Sequence, residues 1–378
     1  MDTDILVTAT RSMKNYTAKV IEHVRKYPSF SSPDNAIDGL DLLSTWKFAD
    51  GEMEVEVQSS IRGKSVILFA SCARNEASIP VDEAKIELYH TIDALKRAKA
   101  KEIVVFEPYI SCSRSDRTVR RSSVGLWIHL KTLSSLGATH MLTYQLHSDK
   151  SKSMLDPTIC DFDDIPALTL IQKFICDNYI RDSKTLEQEV QPGWIFCSVD
   201  AGSEKIAENF ANSFGTNLAV AHKQRDYSTQ NRIKSISILT AEPIEGKILW
   251  IVDDMIDTGS SIETLIENLL PLKPAEINIL TVHPVFSPNA SASGDEPPQE
   301  VPKKLQTISQ EPLVNRIIAT DTIHCPESMP RAIQNLTVVP STELSADIIR
   351  SIATNHSLSD LYKRFDAGRY LRERTLFT

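Results

Sequence analysis

Short apolar or β-branched runs alternate with longer helical patterns in the first half of the chain. The runs lie at 65–70 (SVILFA), 102–107 (EIVVFE) and 140–146 (HMLTYQL). The helical patterns lie at 81–100, 125–137 and 165–180. Because strand and helix periodicities alternate in this order, the sequence predicts parallel strands joined by crossover helices.

The same alternation begins again after residue 165. Strand-like runs lie at 193–200, 217–223, 247–254 and 276–283, with helical patterns at 202–215 and 261–272. A chain of 378 residues is long for one core, since domains cluster near about 100 to 150 residues. The sequence therefore predicts an α/β protein of two similar domains, each a mainly parallel sheet flanked by helices. We expect ligands beyond the carboxyl ends of the strands.

Composition excludes several classes of protein. A formal net charge of −9 argues against a general nucleic-acid binder, whose binding surface would be basic. No apolar run approaches the roughly 20 residues that span a bilayer, and the N-terminus lacks an export-signal pattern. The six cysteines are scattered without a CxxC pair, which favours reduced thiols. We expect a cytoplasmic protein that contacts neither membrane nor nucleic acid.

Residues 287–306 (SPNASASGDEPPQEVPKKLQ) interrupt the alternation of strands and helices. The stretch is rich in Ser, Pro, Glu and Lys and poor in large apolar side chains. Such a composition predicts an exposed, mobile loop inserted in the second domain.

The stretch 248–266 (ILWIVDDMIDTGSSIETLI) carries the strongest chemical signal. A helix that begins after TGSS would present unpaired backbone N–H groups and a positive dipole end to an anion such as phosphate. The adjacent carboxylates of Asp253 and Asp254 suit the vicinal hydroxyls of a sugar, either directly or through a shared divalent cation. A phosphorylated sugar fits this combination. The alternative from these residues alone is that Asp257 or Thr258 caps the helix and the other carboxylates are solvated.

The pattern DDMIDTGSS resembles the phosphoribosyl pyrophosphate (PRPP) binding motif, which type I phosphoribosyltransferases share with PRPP synthetases, also called ribose-phosphate diphosphokinases. Further segments in collinear order, over roughly residues 45 to 285, resemble the synthetases. They are FADGEMEVEVQSSIRGKSVILF (48–69), FEPYISCSRSDRTVRRSS (106–123), TYQLHSDKSKSMLD (143–156), CSVDAGSEKIAENFA (197–211) and LAVAHKQRDYSTQNRI (218–233). The chain is accordingly identified as a member of that family, with a fold like that of type I phosphoribosyltransferases.

The resemblance implies an ATP site in the first domain. Phe48, Asp50 and Glu52 match positions that hold adenine, where an aromatic face stacks on the purine and a carboxylate accepts from its amine. Arg114 and Asp116 fall in the segment that approaches the polyphosphate. Arg117, Arg120 and Arg121 follow them, and guanidinium groups bind phosphate oxygens bidentately, although a solvated basic face would also explain the cluster.

The resemblance also implies a reaction, the transfer of the diphosphoryl group of ATP to the 1-hydroxyl of ribose 5-phosphate, giving PRPP and AMP for nucleotide biosynthesis. His147 and Asp200 match positions associated with Mg²⁺, and His147 also matches a contact to the triphosphate. Lys223 and Arg225 match a pair on a closing loop that stabilises charge on the transferred group. The residues implied for ribose 5-phosphate are Asp253, Asp254, Asp257, Thr258, Gly259, Ser260 and Ser261.

The domain roles follow from the same resemblance. Residues 1–165 would bind ATP and form subunit contacts, 166–345 would bind ribose 5-phosphate, and 346–378 would form a closing helix and tail that packs back on the first domain. The family forms rings built from dimers, so we expect a dimer-based homo-oligomer, up to a hexamer.

The chain departs from the family at several positions, which leaves two alternatives open. Ser260 stands where glycine is usual, so its side chain would crowd the phosphate or strain the backbone if the site needs a positive φ; its hydroxyl could instead donate to phosphate. Ser115 replaces a usual glutamine. The alternatives are a catalytically weak or inactive regulatory subunit of a PRPP synthetase and, less favoured, a type I phosphoribosyltransferase.

Overall fold

A computed structural model of the chain describes residues 5–30, 37–118, 121–225, 233–288 and 301–377. The strands in these ranges are β1 Ile5–Ala9, β2 Leu43–Lys47, β3 Met53–Val57, β4 Ser65–Phe69, β5 Glu102–Phe106, β6 His140–Tyr144, β7 Asp161–Ile165, β8 Trp194–Ser198, β9 Asn217–Arg225, β10 Ile233–Thr240, β11 Ile248–Ile256, β12 Glu276–Pro284, β13 Val314–Thr320 and β14 Leu336–Val339. The α-helices are α1 Lys14–Val24, α2 Val81–Arg97, α3 Gly125–Leu136, α4 Leu168–Tyr179, α5 Ser183–Thr185, α6 Gln191–Gly193, α7 Glu204–Phe214, α8 Ser260–Leu269, α9 Lys303–Ser309, α10 Ser328–Ala332, α11 Thr342–Ala353 and α12 Ala367–Phe377.

Two compact units account for these elements. Unit 1 comprises Met1–Ala167, Thr322–His324 and Pro340–Tyr362, and unit 2 comprises Leu168–Asp321, Cys325–Val339 and Lys363–Thr378. Helix α11 thus belongs to unit 1 and α12 to unit 2. The roles assigned to 1–165 and 166–345 stay predictions.

Unit 1 is built on a five-stranded parallel sheet in the order β1-β4-β5-β6-β7, with the β2–β3 hairpin as a separate antiparallel pair. Every residue of β4 is buried, as expected for a parallel strand covered on both faces. Leu68 and Val105 of the sheet form one apolar core with Leu88 of α2 and Leu133 of α3. Helix α11 packs on this unit, since Tyr16 Oη lies 2.7 Å from Ser341 Oγ.

Unit 2 is built on a seven-stranded sheet in the order β10-β9-β8-β11-β12-β13-β14, parallel except for the antiparallel β10. Its core joins Ile251 and Ile279 of the sheet to Leu265 of α8. From β8 the chain proceeds to β9 on one side, and from β11 to β12 on the other. The strand order therefore changes direction between β8 and β11, and a ligand site is expected at the carboxyl ends of these two strands.

The two-sheet α/β architecture is confirmed, and the predicted strands and helices are present with ends shifted by a few residues. The prediction of a loop over 287–306 is wrong at its carboxyl end. Helix α9 begins at Lys303, and Leu305 is fully buried in the unit 2 core. Residues 289–300 lie outside the described ranges. Among the helices in those ranges, none is both long enough and apolar enough to cross a membrane.

Candidate functional site

The carboxyl edge of the unit 2 sheet brings together aspartates that follow two strands far apart in the sequence. Strand β8 ends at Ser198, which pairs with Val252 of β11. Asp200 lies two residues after Ser198, and Asp253 lies one residue after Val252. The Asp200 charge acts on Asp253, so the structure brings these two predicted site residues to the same edge of the sheet.

Asp253 is held in an unfavourable electrostatic environment. Burial is the largest cause, and the charges of Asp254 and Asp200 add to it, so that the pKa of Asp253 is raised well above its usual value. The Asp254 backbone amide donates to Asp253 Oδ1 at 3.1 Å, which works in the opposite direction. Asp254 is 8% exposed. A bound cation or a pair of hydroxyl donors would stabilise the ionised form of this carboxylate pair.

Backbone geometry fixes the turn that carries Asp200. Its Oδ1 accepts a hydrogen bond from the Gly202 amide at 2.9 Å, and its own amide donates to Ser203 Oγ at 3.3 Å. The same hydroxyl accepts from the Val199 amide at 3.0 Å. The hydrogen bond to Asp200 Oδ1 therefore helps to fix the turn that positions the Asp200 side chain.

The chain between β11 and α8 answers the question raised by Ser260. Gly259 is the residue in the left-handed region, with φ +83, whereas Ser260 is the first residue of α8 and does not have a positive φ. The predicted conflict at position 260 is therefore absent from the backbone. Ser260 Oγ instead lies 3.0 Å from Thr258 Oγ1.

No side chain caps α8, since Gly259 is its N-cap residue. The alternative in which Asp257 or Thr258 caps the helix is therefore wrong. Asp257 Oδ1 accepts from the Ser287 amide at 3.3 Å instead. The first amides of this ten-residue helix are thus available to an anion, as the sequence predicted.

Helix α9 packs against the same turn. A Cβ atom at Gly259 would lie 3.1 Å from Leu305 Cγ and 3.5 Å from Ile308 Cδ1. An ion pair between Lys304 and Glu263 also joins α9 to α8. Part of the segment that was expected to be a loop therefore supports the backbone of the predicted anion site.

Phe48, Asp50 and Glu52 form the tip of the β2–β3 hairpin in unit 1. The Phe48 amide donates to Glu52 O at 2.8 Å, and the Glu52 amide donates to Asp50 Oδ1 at 3.0 Å. Phe48 is 51% exposed, as is common for single apolar side chains at a surface. The hairpin presents a ring face and carboxylates to solvent.

Arg114, Asp116 and His147 lie on segments that leave the carboxyl edge of the unit 1 sheet, because β5 and β6 are adjacent and parallel. Arg114 and His147 are exposed. Ser115, which departs from the family pattern, accepts a hydrogen bond from the Gly125 amide at 2.9 Å and so holds the start of α3. Arg117 and Arg121 are exposed, and Arg120 lies outside the described residues.

Lys223 and Arg225 belong to β9, where Lys223 pairs with Ile236 and Arg225 with Ile233 of β10. Their implied place on a loop is therefore corrected, because the antiparallel partner β10 extends the strand to Arg225. Their side chains, and residues 226–232 beyond them, lie outside the described part of the structure.

Sequence reasoning missed one buried polar cluster in unit 1, formed by Cys72, Glu107 and His129. Two signals in the sequence pointed to it. Glu107 directly follows the apolar run of β5, and His129 lies on the same helix face as Leu126 and Leu133. Charged or polar side chains at such positions need partners when they are buried.

Known proteins resemble both halves of the chain. Residues 6–137 match the family described as the N-terminal domain of ribose phosphate pyrophosphokinase, and residues 164–320 match the phosphoribosyl transferase domain. A ribose-phosphate pyrophosphokinase of Ureaplasma parvum is 30% identical over 278 residues, covering 73% of this chain and 74% of that protein. The Wolinella succinogenes enzyme of the same name is 28% identical over 340 residues, covering 89% and 96%. The crystal structure of phosphoribosylpyrophosphate synthetase from Mycobacterium smegmatis superposes with a TM-score of 0.73 at 23% identity, covering 93% of this chain and 99% of that one.

Proposed function

The chain belongs to the ribose-phosphate pyrophosphokinase (PRPP synthetase) family, and on that basis we propose that it transfers the diphosphoryl group of ATP to the 1-hydroxyl of ribose 5-phosphate. One observation carries the proposal. The uncapped N-terminus of α8 lies one short turn after the Asp253–Asp254 pair, and the charge of Asp200 helps to raise the pKa of Asp253. A phosphorylated sugar has the groups that satisfy both features.

Ribose 5-phosphate would be held at two points of unit 2. The first amides of α8 would donate to the 5-phosphate, with the hydroxyls of Thr258, Ser260 and Ser261 as further donors. Asp253 and Asp254 would accept from the ribose hydroxyls. Two fixed points orient the sugar, and orientation supplies a large part of the rate in phosphoryl transfer.

The residues present also fit the Mg²⁺ that the family relationship implies. Mg²⁺ prefers carboxylate oxygens, and the acidic neighbours that raise the pKa of Asp253 form a local excess of negative charge. Asp200 is the residue of this group that we assign to the metal. In unit 1, His147 is the residue that we assign to the triphosphate and its metal. Bound Mg²⁺ would neutralise charge on the ATP phosphates.

The remaining residues would bind ATP and act on the group in transfer. Phe48 would stack on adenine, with Asp50 and Glu52 beside it, and Arg114 and Asp116 would lie toward the polyphosphate. Lys223 and Arg225 would stabilise the negative charge that spreads over the transferred group in the transition state. The 1-hydroxyl of the sugar attacks the β-phosphorus and AMP leaves.

One assay separates this proposal from the two alternatives. Purified protein is incubated with ATP, Mg²⁺ and ribose 5-phosphate, and AMP and PRPP are measured against an Asp254→Ala control. AMP formed by the chain alone would rule out a purely regulatory subunit. If no AMP is formed above the level of the Asp254→Ala control, the proposed synthetase activity is wrong. A phosphoribosyltransferase would consume PRPP with a base and release diphosphate without forming AMP, and the match of 6–137 to the pyrophosphokinase N-terminal domain weighs against it.

The cytoplasmic location and the dimer-based homo-oligomer stay predictions that the family relationship suggests. Light scattering of the purified chain at several concentrations would give its mass in solution. A monomer at all concentrations, together with normal activity, would contradict the expected assembly.

A further inference from the structure

A second polar site lies inside unit 1, formed by three residues that have no assigned part in the proposed reaction. Cys72 follows β4, Glu107 follows β5 and His129 lies on α3. Their Sγ, carboxylate oxygen and ring nitrogen all lie within 4.8 Å of one another. The three side chains are 1%, 0% and 1% exposed. Among the described residues this is the one group of three such side chains with that spacing.

The hydrogen bonds of the cluster leave the Glu107 carboxylate with one strong partner. His129 Nε2 lies 2.7 Å from Glu107 Oε2, and Tyr89 Oη lies 3.0 Å from His129 Nδ1. Glu107 Oε1 is fully buried, and among the described residues the Cys72 thiol, a weak donor, is the further group that interacts with this carboxylate. A buried carboxylate oxygen without a strong donor is costly, and a bound cation would remove that cost.

The chemical types of the three side chains indicate which metal ion the cluster would bind. One thiol, one imidazole and one carboxylate are the ligand types of zinc, whereas Mg²⁺ and Ca²⁺ prefer oxygen atoms only. Zn²⁺ with one thiolate and one carboxylate has no net charge, and a neutral site is suited to a buried position. The Tyr89 hydroxyl would hold the second ring nitrogen of His129, as outer partners of zinc-bound histidines commonly do.

We propose that Cys72, Glu107 and His129 bind a zinc ion that ties α3 to strands β4 and β5 of unit 1. On binding, the Cys72 thiol loses its proton to solvent, and the proton that His129 Nε2 shares with Glu107 Oε2 is transferred to His129 Nδ1, which then donates to Tyr89 Oη. A water molecule or an adjacent protein group would complete a four-coordinate site.

Cobalt(II) gives a direct test, because thiolate ligation produces a near-ultraviolet charge-transfer band that oxygen ligands do not produce. The full-length chain, stripped with a chelator and dialysed, is titrated with Co²⁺ and then with Zn²⁺. We expect one Co²⁺ per chain with a thiolate band, loss of the band on adding Zn²⁺, and a rise in melting temperature of about 5 °C with Zn²⁺.

The matched variants are Cys72→Ser and Cys160→Ser, since Cys160 is equally buried in unit 1 and donates to the Asp161 carbonyl instead. The band should vanish in the first and remain in the second. A band that persists in Cys72→Ser, or the absence of the band from the wild-type chain, would overturn the proposal. The cluster would then be a buried hydrogen bond between His129 and Glu107 without a metal.

X-ray absorption at the zinc edge of the wild-type protein keeps the test independent of the folding of any variant. One sulfur neighbour at about 2.3 Å and one imidazole are expected. A zinc environment of oxygen and nitrogen alone would be decisive against Cys72 as a ligand.

Discussion

Gly259→Ala tests whether the anion site depends on the backbone at position 259. Gly259 has φ +83, where a residue with a Cβ atom is strained. The new Cβ would also lie 3.1 Å from Leu305 Cγ and 3.2 Å from Leu305 Cδ2, closer than most such contacts. The substitution therefore combines a conformational cost with a packing cost.

The structure allows these two costs to be separated. A left-handed backbone costs a non-glycine residue about 1 to 2 kcal/mol. Over-packing adds about 1 to 3 kcal/mol, and we take the lower end because the contacted atoms belong to a leucine side chain that can shift. The expected total is about 2 to 3 kcal/mol, or a fall of roughly 5 to 10 °C in the melting temperature of unit 2.

Gly246→Ala is the matched control. Gly246 lies in the same unit with φ +75, and a Cβ there would meet nothing within 4 Å. It should cost only the conformational part, about 1 to 2 kcal/mol. In the double variant Gly259→Ala, Leu305→Ala, the new Cβ at position 259 no longer meets the leucine side chain. The double variant should therefore be less destabilised than the sum of the two single variants.

Scanning calorimetry and titration with ribose 5-phosphate together decide the matter. We expect Gly259→Ala to weaken ribose 5-phosphate binding by about tenfold or more, since the amides at the start of α8 shift, while Gly246→Ala leaves binding unchanged. If Gly259→Ala is no more harmful than Gly246→Ala in both measurements, the coupling of α9 to the anion site through Gly259 is refuted.

Four further substitutions test the other assignments. Asp253→Asn should raise the melting temperature of the ligand-free chain by about 2 to 6 °C at neutral pH and weaken ribose 5-phosphate binding. The pKa of Asp253 is higher in the folded chain than in the unfolded chain, so ionisation of Asp253 lowers the free energy of unfolding fully above the folded pKa and not at all below the unfolded pKa. The gain in melting temperature from Asp253→Asn should therefore shrink as the pH falls. A gain that is independent of pH would contradict this. Ser260→Gly should not tighten ribose 5-phosphate binding, since Ser260 does not have a positive φ; a large improvement measured by titration would show that its side chain obstructs the site. Phe48→Ala should raise the KM for ATP about tenfold with a stability change within about 0.5 kcal/mol, whereas Trp46→Ala, exposed on the same hairpin, should leave KM unchanged; equal effects would exclude a specific role for Phe48. Lys223→Ala should lower kcat about 10²-fold with little change in either KM, and a purely raised KM in steady-state kinetics would contradict a role in the transition state.

The elements that could be predicted from the sequence are those whose burial shows in their composition. Strand β4 is buried throughout and appears as the unbroken apolar run SVILF. Strand β7, DFDDI, is an edge strand, and its three aspartates concealed it from a search for apolar runs. Helix α9 was missed because it has only seven residues, and its two core side chains stand inside a polar stretch.

The acidic residues at the carboxyl edge of the unit 2 sheet could be recognised from the sequence, but their arrangement could not. Asp253 and Asp254 were recognisable because they follow an apolar strand directly. The effect of Asp200 on Asp253 depends on β8 lying next to β11, a pairing that leaves no local signal in the chain. The same holds for Glu107 and His129, which are neighbours only because α3 packs on the sheet beside β5.

The position of one helix start decides how the departure at Ser260 should be understood. Had α8 begun one residue later, Ser260 would occupy the left-handed position and would be strained. Because α8 begins at Ser260, Gly259 occupies the left-handed position. The Ser260 hydroxyl lies beside Thr258 Oγ1 at the start of α8, where we propose that the phosphate binds. A shift of one residue is smaller than periodicity can resolve. The substitution of glycine by serine is therefore compatible with a phosphate site, provided that Gly259 and its packing against Leu305 are kept.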